Sequence, residues 1–109
     1  MNVLLTPSEE DLDTTLQLPV VLVLGRGGCV KCSDLAVVAS TWTPPLGVAV
    51  ALVLLDDAAG LRLRALHDFV HHLDVLPAVV PMSNGEPLAV MHGSTVEVLE
   101  RAADRLRQV

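Results

Sequence analysis

Aromatic side chains are nearly missing from this chain. Among 109 residues the only ones are Trp42 and Phe69, and there is no tyrosine. A base-stacking platform for single-stranded nucleic acid has nothing to be built from. Cations are scarce as well: 7 Lys and Arg stand against 13 Asp and Glu, a formal net charge of −6. That balance excludes the basic footprint needed to neutralise a phosphate backbone, so no nucleic-acid partner is expected. Long hydrophobic runs are absent too. The longest, Val48–Leu55, has eight residues, whereas a membrane-crossing helix needs about 20. No membrane partner is expected.

What is present describes a folded chain. Hydrophobic residues make up 51% and charged residues 18%, too apolar and too weakly charged for a disordered tail. With so few aromatics the core is made of Leu, Val and Ala. The length suits one domain covering residues 1–109, with enough chain for a single hydrophobic core. The start, Met1 to Glu10, has neither a positive n-region nor a long apolar segment, so a cytoplasmic protein is the expectation. There the two cysteines point to redox, catalytic or metal chemistry more than to a structural staple.

The hydrophobic pattern alternates strands with helices. Val3-Leu4-Leu5 reads as a short strand. Ser8 and Asp11 resemble a capping box for a helix running to about Leu16, and Pro19 stops it. Val20–Leu24 is apolar on both faces, the pattern of a central covered strand. After Gly25-Arg26-Gly27-Gly28 comes Cys29-Val30-Lys31-Cys32 at the head of a helix with Leu35, Val38 or Ala39, and Trp42 at helical spacing, ended by Pro44-Pro45. Val48–Leu55 is a second covered strand. Asp56 and Asp57 offer N-caps for a helix of roughly Ala58–Leu73, with Leu63, Leu66, Phe69 or Val70, and Leu73 as one stripe. A third apolar stretch runs from Val75 to Met82. Asn84-Gly85 signals a hairpin, with Leu88–Met91 returning antiparallel. Ser94 and Glu97 form a capping box for a last helix, about Thr95–Arg107, burying Val96, Leu99, Ala102, Ala103 and Leu106. The order β-α-β-α-β-α-β-β-α implies a three-layer α/β/α domain on a mixed central sheet.

Cys29 and Cys32, at i and i+3 on a first helical turn, lie on one side and close enough to bridge. The leading thiol meets free backbone N–H groups and the positive end of the helix dipole, which favour its thiolate. Cys29 is therefore the expected nucleophile and Cys32 the resolving thiol one turn deeper. Lys31 and Arg26 add positive charge nearby.

LVLGRGGCVKC, a strand entering CxxC at a helix start, followed downstream by VLPAVVPMSNGEPLAVMHG, resembles the thioredoxin family over nearly the whole chain. The resemblance implies the thioredoxin fold and a thiol–disulfide oxidoreductase acting without a bound cofactor on a disulfide-containing protein or peptide, with a thioredoxin-reductase-type electron donor. It implies a cis peptide bond between Leu76 and Pro77, with the proline facing the disulfide. The implied substrate surface is Gly27, Gly28, Val30, Lys31, Leu76, Pro77 and Gly93. The chain departs from the family pattern at named places. Gly28 replaces the aromatic before the first cysteine, and Val30-Lys31 replaces Gly-Pro. Val23 and Leu52 stand where the family places a buried Asp and its Lys.

Other constellations compete. Cys29 and Cys32 with His67 and His71 give C-x2-C and H-x3-H, a zinc pattern, but the gap between the halves far exceeds a zinc finger's. The preferred reading of His67, His71 and His72 is a solvated face. His92, before Gly93, is either a strand-end residue or a proton partner of the dithiol. A redox-inactive binding or assembly module on the same fold is the alternative function. The composition admits a monomer or a homodimer.

Overall fold

The computed structural model describes residues 4–108; Val3, placed above in the first strand, lies outside them. Elements follow in the order β1 (Leu4–Leu5), α1 (Leu12–Gln17), β2 (Val20–Gly25), α2 (Val30–Thr41), β3 (Ala49–Leu54), α3 (Ala58–Leu66), a 3-10 turn (Asp68–His72), β4 (Ala78–Ser83), β5 (Glu86–Pro87), β6 (Met91–His92) and α4 (Val96–Arg107). The sheet order is β1-β3-β2-β4-β5, with β6 also on β4. β3 runs parallel to β1 and β2, and β4 runs antiparallel to β2.

β2 is the centre, and every residue in it is buried. Its period of two sends Val20, Leu22 and Leu24 to one face with α1, α3 and the 3-10 turn. Val21 and Val23 go to the other, against Leu35 and Ala39 from α2, its C-cap Trp42, and Leu99, Ala102 and Leu106 from α4. A strand covered on both faces has no reason to alternate polar with apolar, which explains its continuous apolar run.

Three expected elements are built differently. The helix expected to reach Leu73 stops at Leu66, where His67 turns extended at φ −134° and ψ 115°. A helix over 58–73 would run about 24 Å, beyond the roughly 20 Å of a six-residue strand. The break lets Val70 turn back into the core while Leu66 stays 40% exposed. The returning strand comes in two pieces, β5 and β6, whose registers on β4 differ by one residue. Pro81 and Pro87 have no N–H to give a ladder, so a bulge separates the pieces, with the Leu88 N–H donating to the Pro81 carbonyl at 2.9 Å. Finally, α4 is capped by Thr95 rather than Ser94, without a side-chain cap bond. Glu97 then stands one place too early to close a capping box. Val98 replaces Val96 in the buried stripe, and Val96 is exposed. The hairpin tip is as expected: Asn84 and Gly85 both have positive φ, 53° and 80°, the requirement of a two-residue primed turn.

Candidate active site

The parallel pairing of β2 with β3 ends at Gly25 opposite Leu54. The loops that follow two neighbouring parallel strands must therefore meet, and the crevice at such strand ends is a usual place for a ligand site. In the first loop, Cys29 is extended (φ −100°, ψ 111°) and caps α2. Its Sγ accepts the Cys32 N–H at 3.2 Å, and its carbonyl accepts the Ser33 N–H at 3.1 Å. A sulfur thus does the work usually done by a Ser or Asp oxygen, satisfying one of the free N–H groups of the first turn.

Cys29 and Cys32 are joined as a disulfide, with Cα atoms 5.2 Å apart. The two sulfurs sit in different surroundings. Cys29 is half-buried, whereas Cys32 is 4% exposed. Cys32 rests on Gly25: a Cβ at that glycine would stand 3.0 Å from the Cys32 Cβ and 3.4 Å from its Sγ. The last residue of β2 must therefore be small for α2 to seat its second cysteine.

On the far side of the cysteine turn, Lys31, Val75, Leu76, Pro77, His92, Gly93 and Ser94 line a cavity of about 130 Å³. The Leu76–Pro77 peptide bond is cis, and Pro77 is buried. Four of the residues named from the sequence, Lys31, Leu76, Pro77 and Gly93, therefore share one cavity. Lys31 stands between the cysteines, so this cavity abuts the disulfide turn. Gly28 and Val30 are not in its wall. Gly28 has φ 76° with open space about it, and Val30 is 75% exposed at the first helical position. His92 ends β6 and also lines this cavity.

Asp56, expected as an N-cap of α3, does something else. Asp57 is the cap, and the Asp56 carboxylate accepts the Gly27 N–H at 3.2 and 3.3 Å. It ties the loop after β3 to the loop that carries the cysteines. The sequence alone held a signal for this: both loops follow apolar runs suited to parallel pairing. Val75 and Ser94, also in the cavity wall, carry no such signal.

No buried carboxylate stands behind Cys32. Among the described residues the only buried polar side chain is Thr15. Val23 and Leu52 pair across the strands, Val23 with no exposure. The histidines do not converge either. With α3 ended at Leu66, the His71 Nε2–H donates to the Arg64 carbonyl at 3.1 Å, His72 faces Asp68 at 3.5 Å and His67 lies against the Phe69 ring. Among the described residues no three His, Cys, Asp or Glu side chains cluster as metal ligands.

No family model and no curated protein sequence matches the chain. Its fold does match solved structures. The oxidised thioredoxin of Plasmodium falciparum superposes with a TM-score of 0.68 at 14% identity, covering 94% of this chain and 97% of that one. Thioredoxin O2 of Arabidopsis thaliana in its oxidised state gives 0.67 at 17% identity, over 97% and 98%. Spinach chloroplast thioredoxin F gives 0.67 at 15%, over 95% and 86%. The described chain has the thioredoxin fold, with a CxxC disulfide at the start of α2. Among the described residues, no helix is long and apolar enough to cross a membrane.

Proposed function

We propose that this chain is a single-domain thiol–disulfide oxidoreductase that acts on protein or peptide disulfides through Cys29 and Cys32. One observation carries the reading: a bridged cysteine pair at the start of α2, its leading cysteine half-buried and its partner 4% exposed. In the dithiol form, the Cys29 thiolate attacks one sulfur of a substrate disulfide. That S–S bond breaks, the other substrate sulfur leaves as a thiolate and takes a proton from water, and a mixed disulfide forms on Cys29. Cys32 then loses its proton and attacks the Cys29 Sγ. The second substrate sulfur leaves as a thiolate and takes up a proton in turn. Two electrons have passed to the substrate, and the chain is back in the bridged form. An external dithiol of the thioredoxin-reductase type restores the thiols. The substrate chain lies over Lys31, Leu76, Pro77 and Gly93, with Gly28 and Val30 on the open side. Gly28, next to Cys29, has no side chain to shield it and has open space around it. The soluble phase of the cytoplasm is the proposed setting.

One observation favours a second reading, a redox-inactive binding module: no buried acid stands ready to take the Cys32 proton. Two measurements separate the readings. In an insulin-type reduction assay the oxidoreductase turns over, and Cys29→Ser abolishes turnover. Brief alkylation of the reduced protein at mildly acidic pH labels Cys29 at least about tenfold faster than Cys32, because Cys29 is the less buried of the two and stands at the positive end of the helix dipole. No turnover by the wild type, with client binding kept in Cys29→Ser, supports the binding module instead.

A further inference from the structure

A second cavity, of about 300 Å³, borders the cysteine loop on the other side of Leu76. Arg26, Leu55, Asp56, Arg64, Val70, His71, Leu73 and Leu76 line it, and Leu76 is common to it and to the cavity at Pro77. Its basic side chains come from separate segments: Arg26 from the loop between β2 and α2 and Arg64 from α3, with the His71 ring from the 3-10 turn beside them. Leu55 and Val70 are buried at 5% each and give it an apolar floor.

Its arginines are free. Arg62 is held by Asp13 and Arg107 by Asp104, but among the described residues the side chains of Arg26 and Arg64 make no ion pair or hydrogen bond. The one acid in the wall, Asp56, is turned to the Gly27 N–H. With two guanidinium groups and one carboxylate, the cavity carries a net charge near +1 at neutral pH. That sum stands out in a chain of net −6. It also selects the ligand: one unit of positive charge, presented by planar guanidinium forks, fits a carboxylate monoanion.

We infer that the Arg26–Arg64 cavity is a substrate subsite that takes an acidic side chain next to the disulfide being exchanged, so that the preferred substrates are cysteines flanked by Asp or Glu. A peptide laid across Leu76 towards Cys29 has one flank over this cavity and the other over the cavity at Pro77. The inference rests on the proposed thiol–disulfide reading and narrows its substrate class. The chain as a whole repels acidic peptides, so any preference for them must come from a local feature, and arginines without internal partners supply it.

The test uses two disulfide-bonded peptides that differ only in glutamates or glutamines flanking the cysteine. The reduced Cys32→Ser variant traps the mixed disulfide on Cys29, and the rate of trapping is read for each peptide at low salt. The acidic peptide reacts about three- to tenfold faster, the range for one or two exposed ion pairs. The quantity compared is the acidic-to-neutral ratio, so a general effect of Arg26 on thiolate reactivity cancels. Adding Arg26→Gln and Arg64→Gln brings the ratio to one or below, and salt at about 1 M does the same by screening. Equal rates for the two peptides, or a ratio that survives both substitutions, overturns the subsite. A second arm needs no chemistry. Cysteine-free versions of both peptides are titrated into the oxidised wild-type protein, and the backbone amide shifts of Gly27 and His71 are followed. Shifts with the glutamate peptide alone, lost in the double arginine variant, support the subsite; no shifts, or equal ones, refute it. If neither peptide is trapped in the first arm, the thiol–disulfide reading fails, and the second arm still decides whether the cavity binds carboxylates.

Discussion

Val23→Asp puts a carboxyl behind the resolving sulfur. Val23 lies two residues before Gly25 on the same face of β2, about 6.6 Å back along the strand, and Gly25 is in contact with Cys32. The site is closed: Val23 has no exposure and belongs to a cluster with Leu35, Ala39, Val79 and Leu99. Valine and aspartate are close in volume, so sterics are a minor part of the effect. The main part is an unpaired polar group in an apolar interior, which costs about 2–7 kcal/mol. At 0.05–0.15 kcal/mol per residue a chain of this length has roughly 5–15 kcal/mol in all, so the variant loses a large share and still folds at the lower end of that cost. Burial holds the introduced carboxyl above the usual carboxylate range, which sets the sign with pH. Below about pH 4 the group is protonated in both states. As pH rises, the unfolded chain ionises first and gains about 1.4 kcal/mol per unit over the folded one. The destabilisation is therefore smallest in acid and largest at neutral pH. Val23→Asn is the control, with a similar loss of stability and no such slope. Urea unfolding at several pH values reads the stability, and stopped-flow release of the mixed disulfide reads the second thiol step. The carboxyl accepts the Cys32 proton, so release is faster in Val23→Asp than in wild type and not faster in Val23→Asn. Wild-type stability at neutral pH would show that the site is wet. Unchanged release in a folded variant would show that proton removal from Cys32 is not what limits the step.

Gly60→Ala tests the seating of α3 on β3. Alanine favours a helix by up to about 1 kcal/mol, but a Cβ at residue 60 would collide with the Leu54 carbonyl oxygen and the Leu55 Cα and carbonyl carbon. Backbone cannot step aside as a flexible side chain does, so the clash wins and thermal unfolding comes several degrees lower; an unchanged or raised midpoint refutes the close approach. Arg62→Gln tests a bidentate surface pair, in which Arg62 donates to both Asp13 oxygens at 2.9 and 3.3 Å. The guanidinium hydrogen bond holds the Asp13 carboxyl below its ordinary value, so the pair stabilises the fold above the ordinary carboxylate range and its contribution disappears as pH falls through the lowered value. NMR titration shows the Asp13 midpoint rising in the variant, with little change in stability at neutral pH because the pair is exposed; an unmoved midpoint refutes the assignment.

Covered strands were the most legible part of the sequence, because a segment apolar on both faces has few other places to go. β2, β3 and β4 fall within a residue or two of expectation for the first two, and three residues late for β4, whose first residue waits for Pro77. The cysteine turn was legible for a similar reason: glycines, then CxxC, then a helical stripe, all pointing to one local geometry. Helix ends were less so. The break at His67 has no proline or glycine to mark it; it follows from the length of the strands beneath, a tertiary constraint. The Ser94 cap fails by one residue, a shift that only the direction of the chain leaving β6 decides. Asp56 departs from its expected capping role because an acid before a helix has two good uses. Its local use lost to a bond with a loop 29 residues away.

The apolar pair Val23 and Leu52 has a consequence for the order of events at the cysteines. Attack by Cys29 needs a thiolate at a helix start, and nothing in that geometry depends on what lies behind Cys32. Resolution needs Cys32 to lose a proton from a site that is 4% exposed, with Gly25 beside it and, among the described residues, no buried carboxylate to receive the proton. A buried Asp–Lys pair gives up stability to supply that acceptor, since desolvating two charges is rarely repaid by their attraction. Valine and leucine keep that stability and offer no such acceptor. On the proposed mechanism the mixed disulfide is then the species that accumulates, and a partner is held on Cys29 longer than a fast reductase would hold it. A long-lived covalent complex gives non-covalent contacts near Cys29 time to sort one partner from another, because a wrongly seated partner can be expelled by a passing thiol before Cys32 acts. The slow step and the arginine-lined cavity beside Leu76 work in the same direction. Speeding resolution with Val23→Asp should therefore shrink the difference in product yield between acidic and neutral peptides when a competing thiol is present. If that difference stays as large when release is fast, partner choice is complete at the first attack and the lifetime of the mixed disulfide has no part in it.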